Sequence, residues 1–192
     1  MRYLVGLLVA VVLVSCSKYN KLAELDSTCD EKWANIDAQL QRRYDLIPNI
    51  VKVVKAQAKF EEETLTKITQ ARAAATQINM SADDLTDPKK VEAFQLAQQS
   101  LNGSLSRLLV ASENYPDLKA NNGFHDLRVE LEGTENRLLR SREEYNAAVK
   151  DFNAELRKVG GSIVNDVTGK PFKPRVFFTT TAEAKTAPQV DL

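Results

Sequence analysis

FHDLRVELEGTENRLLRSREEYNAAVKDFNAELRKV, residues 124–159, decides the fold class. Phe124, Leu127, Leu131, Leu138, Tyr145, Val149, Phe152, Leu156 and Val159 recur in steps of three, four or seven, which keeps them on one face of a helix for about ten turns. Glu, Arg, Lys and Asn occupy the other face. Such a helix must bury its apolar stripe against further helices. Gly160-Gly161 is expected to end it.

The partners for that stripe lie upstream. Val91, Phe94, Leu101, Leu105, Leu108 and Tyr115 form one stripe, and Tyr115-Pro116 closes it because proline disfavours the helical region for its predecessor. A turn is expected from Pro116 to Gly123. Leu22, Leu25, Cys29, Trp33, Ile36 and Leu40 form another stripe. Val51, Val54, Ala58, Leu65 and Ile68 follow Pro48 and lead into Ala71–Ala75, where small side chains permit close helix approach. Between these helices Ser81 and Asp87 are candidate caps, and Pro88 suits a first helical turn.

Pro48 either divides two antiparallel helices or kinks one. The apolar phase passes through Tyr44, Ile47 and Val51 without a slip, which favours a kink. Matching of segments about 45 Å long favours division, and with it four helical segments. The expectation is an all-α, antiparallel up-and-down bundle. PFKPRVFF, residues 171–178, adds a short extended segment laid on it, because prolines and β-branched or aromatic residues suit extended backbone. The Thr- and Ala-rich tail after Thr179 reads as mobile.

Composition narrows the function. A chain of 192 residues carries one domain with a real core. Lys plus Arg and Asp plus Glu both total 26 with no long block of either sign, so there is no electrostatic footprint for nucleic acid. MRYLVGLLVAVVLVSC, Met1 to Cys16, has a basic Arg2, an apolar run from Leu4 to Val14, and a Leu-Val-Ser-Cys ending that resembles a bacterial lipobox. The run falls short of the roughly 20 residues of a membrane-spanning helix. The resemblance implies removal of residues 1–15 and lipidation of Cys16, with a bundle over 16–160 and an extended segment and tail over 161–192. Acyl chains on Cys16 would then anchor the chain in membrane lipid on the non-cytoplasmic side. Ser17 in place of Asp weakly favours an outer membrane. Cys29, left without an intramolecular partner, reads as a small core residue.

Tyr19-Asn20, Trp33, QRRYDLIPNIV at 41–51, Ala71-Arg72-Ala73, ENYPDLKANNGF at 113–124, LEGTENRLLRSREEYNAAV at 131–149, and PFKP with Phe177-Phe178 follow one another along the chain. Taken together in this order, they resemble the LemA family of bacterial envelope proteins. The resemblance implies a membrane-attached helical bundle and no established biochemical activity. A lipobox where relatives carry a longer hydrophobic helix, and VGGSIVNDVTGK at 159–170, depart from the family pattern.

The polar constellations carry two readings each. Arg42, Arg43 and Asp45 before Pro48 form a partner- or headgroup-binding site at one bundle end, or cap the helix ends there. Glu135, Asn136 and Arg137, with Thr134 on the stripe, make a buried network that fixes helix register, with Gln98 as a candidate partner, or else a ligand site. Tyr145-Asn146 and Phe152-Asn153 repeat one heptad apart, as an amide ladder facing another helix or protomer would. Tyr115 joins these as a candidate interaction residue.

No catalytic residue, metal set or cofactor is assigned. His125, the sole histidine, is expected to face solvent. The functional expectation is a non-enzymatic, lipid-anchored interaction or assembly module that self-associates or docks an envelope protein. The alternative is a small-molecule or peptide binder with a site between helices around Arg42, Arg43 and 135–137.

Overall fold

The computed structural model describes residues 2–56, 60–158 and 172–179, with side chains from Lys18 onward. Two long helices form its spine, α1 (Arg2–Lys55) and α5 (Asn122–Leu156). Leu22, Asp26, Cys29, Trp33, Ile36, Leu40, Arg43, Ile47, Ile50 and Val54 step along α1 by four and three, the spacing of a coiled-coil seam. Eight of these ten are buried apolar residues; Asp26 and Arg43 are the exceptions.

The spine is antiparallel. Lys18 pairs with Glu155, Lys32 with Glu144, Gln39 with Arg137 and Arg43 with Glu135, so contacts climb α1 as they descend α5. Shorter helices α2 (Glu62–Gln77) and α3 (Pro88–Ser112) complete an up-and-down bundle over the second half of α1. Among the described residues the fold is all α, with no strand. No helix among them is long and apolar enough to cross a membrane.

Local sequence explains the connections. The Asp87 side chain accepts from the Lys89 N–H at 2.9 Å and Pro88 takes the first turn of α3, as the sequence predicts. Ser81 precedes Ala82, the N-cap of a short 3-10 turn, Asp83–Thr86; its Oγ accepts from the Asp84 N–H at 3.3 Å while its N–H and hydroxyl donate to the Asp84 carboxylate. Between α3 and α5 the chain forms one helical turn, α4 (Pro116–Lys119), where a plain turn was expected. Pro116 starts it because its missing N–H would be unpaired in a first turn. The Asn121 side chain then caps α5 by accepting from the Phe124 N–H. Within the described residues α5 ends at Leu156, three residues before Val159; Val159 and Gly160-Gly161 lie outside the description, as do Ala58 and the tail beyond Thr179.

The division expected at Pro48 does not occur. α1 runs through Pro48 to Lys55, and its break comes before α2. A proline inside a helix lacks the N–H that would bond the carbonyl four residues earlier, here Tyr44. Arg72 of α2 fills the gap, its Nε donating to the Tyr44 carbonyl at 2.8 Å. The proline is tolerated because the neighbouring helix replaces the lost bond.

The extended C-terminal segment, residues 172–179, lies along the middle of α1, from Tyr19 to Trp33. Phe172 meets Tyr19 and Phe152 with ring centroids 5.7 and 6.1 Å apart. Phe178 is buried among Trp33, Phe94 and Tyr145 at 5.1–6.0 Å. Rings of this size bury about 150–250 Å² each, so the segment closes a core that two helices alone leave open.

Candidate functional site

Three of the sequence candidates meet at mid-bundle. Arg43 is 1% exposed, and its Nη1 donates to both oxygens of Glu135 at 3.1 and 3.3 Å. Its Nη2 donates to Gln98 Oε1, and Gln98 Nε2 donates to the Tyr44 hydroxyl at 2.5 Å. One guanidinium thus ties α1 to α3 and α5. Arg142 lies nearby on α5, its pKa lowered by burial and by repulsion from Arg43. The Nε atoms of both arginines are buried without a hydrogen-bond partner.

The capping role expected at this place fails, because α1 has no end there. Asp45 is exposed and its carboxylate accepts from Gln41 at 2.9 Å. Arg42 is exposed and pairs with Glu130. Pro48 is exposed on the continuous helix. Arg42 and Arg43, adjacent in sequence, therefore have unrelated environments, and no site at a bundle end gathers them with Asp45.

Of the residues expected in a buried network around Thr134, Arg137 bonds to it, while Glu135 bonds to Arg43, Asn136 and Arg137 are exposed, and Gln98 does not reach Thr134. Buried Thr134 donates to the Glu130 carbonyl at 2.8 Å and accepts from Arg137 Nη2 at 2.9 Å. Arg137 Nε also donates to Gln39 at 3.0 Å, bridging α5 to α1. Asn136 is exposed and, with Glu135, lines an open recess of about 330 Å³ between α3 and α5, floored by Leu105 and Leu131. Arg42, Arg43 and Arg137 do not line it.

The two amides lie on one face of α5, and what they meet is the chain's own C-terminal segment rather than another helix. Asn146 Nδ2 donates to the Phe178 carbonyl at 2.8 Å, and its Oδ1 accepts from the Phe178 N–H at 2.9 Å. Asn153 does the same to Arg175, at 2.8 and 3.0 Å. Each amide pairs with the backbone as a neighbouring strand would. Further bonds run from the Val176 N–H to the Leu85 carbonyl at 2.9 Å and from Thr179 to Gln95. The Tyr145 hydroxyl lies 3.4 Å from the Val176 carbonyl, and burial pushes its pKa well up.

Arg175 is the residue that sequence reasoning missed. It is 6% exposed and pairs with Asp26 at 2.8–2.9 Å and Asp30 at 2.6 Å. Burial disfavours its charge, but the two carboxylates more than offset that and its pKa ends above the ordinary value. Asp26, a charged residue on the α1 seam, was the available signal. Cys29 beside this cluster is fully buried, as expected of a core residue, and desolvation pushes its thiol up to about 11. Tyr115 packs at a tilt against Phe60, ring centroids 4.9 Å apart, holding the chain just before α2 to the end of α3. Cys16 lies in α1, outside the residues whose side chains are described.

The LemA family profile matches residues 32–192. Magnetosome protein MamQ 2 of Paramagnetospirillum magneticum is 23% identical over 186 residues, covering 88% of this chain and 68% of that protein. Magnetosome protein MamQ of Magnetospirillum gryphiswaldense is 22% identical over 178 residues, covering 84% and 65% respectively. Protein LemA of Metamycoplasma hominis is 29% identical over 121 residues, covering 63% of this chain and 51% of that protein.

Proposed function

Because the chain belongs to the LemA family, we propose that it is a non-enzymatic, lipid-anchored envelope protein acting as an interaction and assembly module at a membrane surface. The observation that carries this reading is the place of Cys16 in the fold. It lies two residues before Lys18, whose Nζ pairs with Glu155 at the far end of α5. Acyl chains on Cys16 would seat that end of the bundle on the membrane and leave its length projecting outward. The polar residues that looked like a site support the same reading, since Arg43, Glu135, Asn146 and Asn153 bind within the chain. The magnetosome relatives, named for a cellular structure, lend weight to assembly as the role.

The test is mass analysis of the N-terminus of protein taken from its own membrane, after cross-linking. A diacylglycerol on Cys16, with one dominant partner or a second copy held beside it, is the expected result. An unmodified N-terminus sinks the anchor, and a lipidated chain without neighbours sinks the assembly role. The open recess beside Glu135 and Asn136 favours a second reading, a small-molecule or peptide binder. A ligand there would raise the melting temperature by mass action in a thermal-shift screen, and no response to any compound counts against it.

A further inference from the structure

We propose that the groove holding residues 172–179 is a receptor for an extended segment, and that it also takes this segment from a second copy, so that neighbouring chains exchange their C-terminal segments. The groove has the features of a peptide-binding site. Asn146 and Asn153 each bind a backbone N–H and carbonyl of one residue, Phe178 and Arg175 respectively. Side-chain pockets lie three residues apart. Phe172 enters between Tyr19 and Phe152, Arg175 meets Asp26 and Asp30, and Phe178 enters between Trp33 and Tyr145. Backbone bonds that confer affinity and alternating pockets that confer specificity are how extended peptides are recognised.

The chain length favours a second copy as the other occupant. Phe172 packs on Phe152, one turn before α5 ends at Leu156, so the segment re-enters the bundle beside the helix it left. Docking in the same chain needs only a few connecting residues, yet residues 159–171 intervene. Thirteen residues reach up to about 45 Å when extended, enough to cross to an adjacent bundle. Every copy carries both the segment and the groove, and exchange preserves each contact, the condition under which swapping costs little. The intramolecular form wins when the protein is dilute, because a short tether gives a high effective concentration. Crowding shifts the balance toward exchange. The proposal supplies a contact for the assembly reading above and rests on it.

The test uses the full chain in mild detergent, so its outcome does not depend on the lipid anchor. One copy carries a photo-cross-linking benzoylphenylalanine at Phe177, which is 41% exposed, and is mixed with a differently tagged second copy over a concentration series. Cross-links from position 177 to α1, α3 or α5 of the other copy, rising with concentration, are expected. Deleting residues 162–169 should abolish them while the cross-links within one chain persist, because five connecting residues, about 17 Å, still reach the chain's own groove. Should that deletion fail to fold, the concentration series on the unshortened chain decides. Cross-links confined to one chain at every concentration overturn the proposal. So do cross-links between copies that fall outside the groove or survive the deletion, and so does capture of a different protein in the groove.

Discussion

Asp26 and Arg43 are the two charged residues on the seam of α1, and the bundle satisfies them in opposite ways. Arg43 is answered by helices already in place, with Glu135 from α5 and Gln98 from α3. Its surroundings hold two guanidiniums, Arg43 and Arg142, against one carboxylate. Asp26 is answered by Arg175, brought in by a segment from the other end of the chain, and there two carboxylates face one guanidinium. The Arg43 centre therefore joins helices, while the Arg175 centre recruits a segment. A charge on a seam is satisfied by whatever the fold can bring to it, and here that includes an extended segment.

The sharpest way to break the contrast is at the recruited segment. Phe178→Ala should cost about 3–5 kcal/mol, the range for truncating a buried aromatic, and lower the melting temperature in a calorimetric scan. Limited proteolysis should then cut near residues 172–179 first. The same truncation at a half-exposed residue, Leu139, should be within about 0.5 kcal/mol of wild type.

At the joining centre the order of effects carries the information. Glu135→Gln leaves Arg43 and Arg142 facing each other with no carboxylate and should cost about 3 kcal/mol, the low end for breaking a buried pair because Glu135 is partly exposed. Arg43→Met removes that repulsion and should cost about 1–2 kcal/mol, mainly from the Gln98 oxygen left without its donor. Urea unfolding of both variants checks this. A larger loss for Arg43→Met than for Glu135→Gln would mean that the excess positive charge is not what distinguishes the two centres.

A smaller effect probes how α1 survives Pro48. Arg72→Met should cost about 1–2 kcal/mol by leaving the Tyr44 carbonyl unpaired. In the Pro48→Ala background an alanine N–H can take that carbonyl, so the same change should cost clearly less. A double-mutant cycle reads the difference.

The smallest effect concerns pH at the end of the bundle where Cys16 lies. Lys158 and Lys18 hold the Glu155 pKa below its ordinary value. A carboxylate whose folded pKa is depressed contributes stability that is present above its unfolded pKa and lost as pH falls through the folded one. Wild type should therefore lose its advantage over Glu155→Gln on acidification below the ordinary carboxylate range, as thermal melts across pH will show.

Much of this was legible in the residues. The stripe from Phe124 to Leu156 marked α5, Asp87-Pro88 marked the start of α3, and PFKPRVFF read as extended. Pro48 misled because the compensation comes from Arg72, 28 residues away, and local pattern says nothing about a donor on another helix. Arg43 was separable from Arg42 by phase alone, since only Arg43 falls between Leu40 and Ile47 on the four-and-three seam. The heptad between Asn146 and Asn153 placed both amides on one face without revealing what lies opposite. That partner was a segment whose own spacing, Phe172, Arg175 and Phe178, matches helix geometry only once it is laid along α1 and α5.

The most direct test of the recruited segment is amide hydrogen exchange across residues 172–179 in the full-length chain. The Arg175, Val176 and Phe178 amides bond to Asn153, Leu85 and Asn146, so they should be protected to the same extent as the core of α5 and lose that protection in Asn146→Ala with Asn153→Ala. Exchange of these amides at the rate of an unstructured peptide in the wild-type protein would contradict the claim that the segment is a member of the bundle.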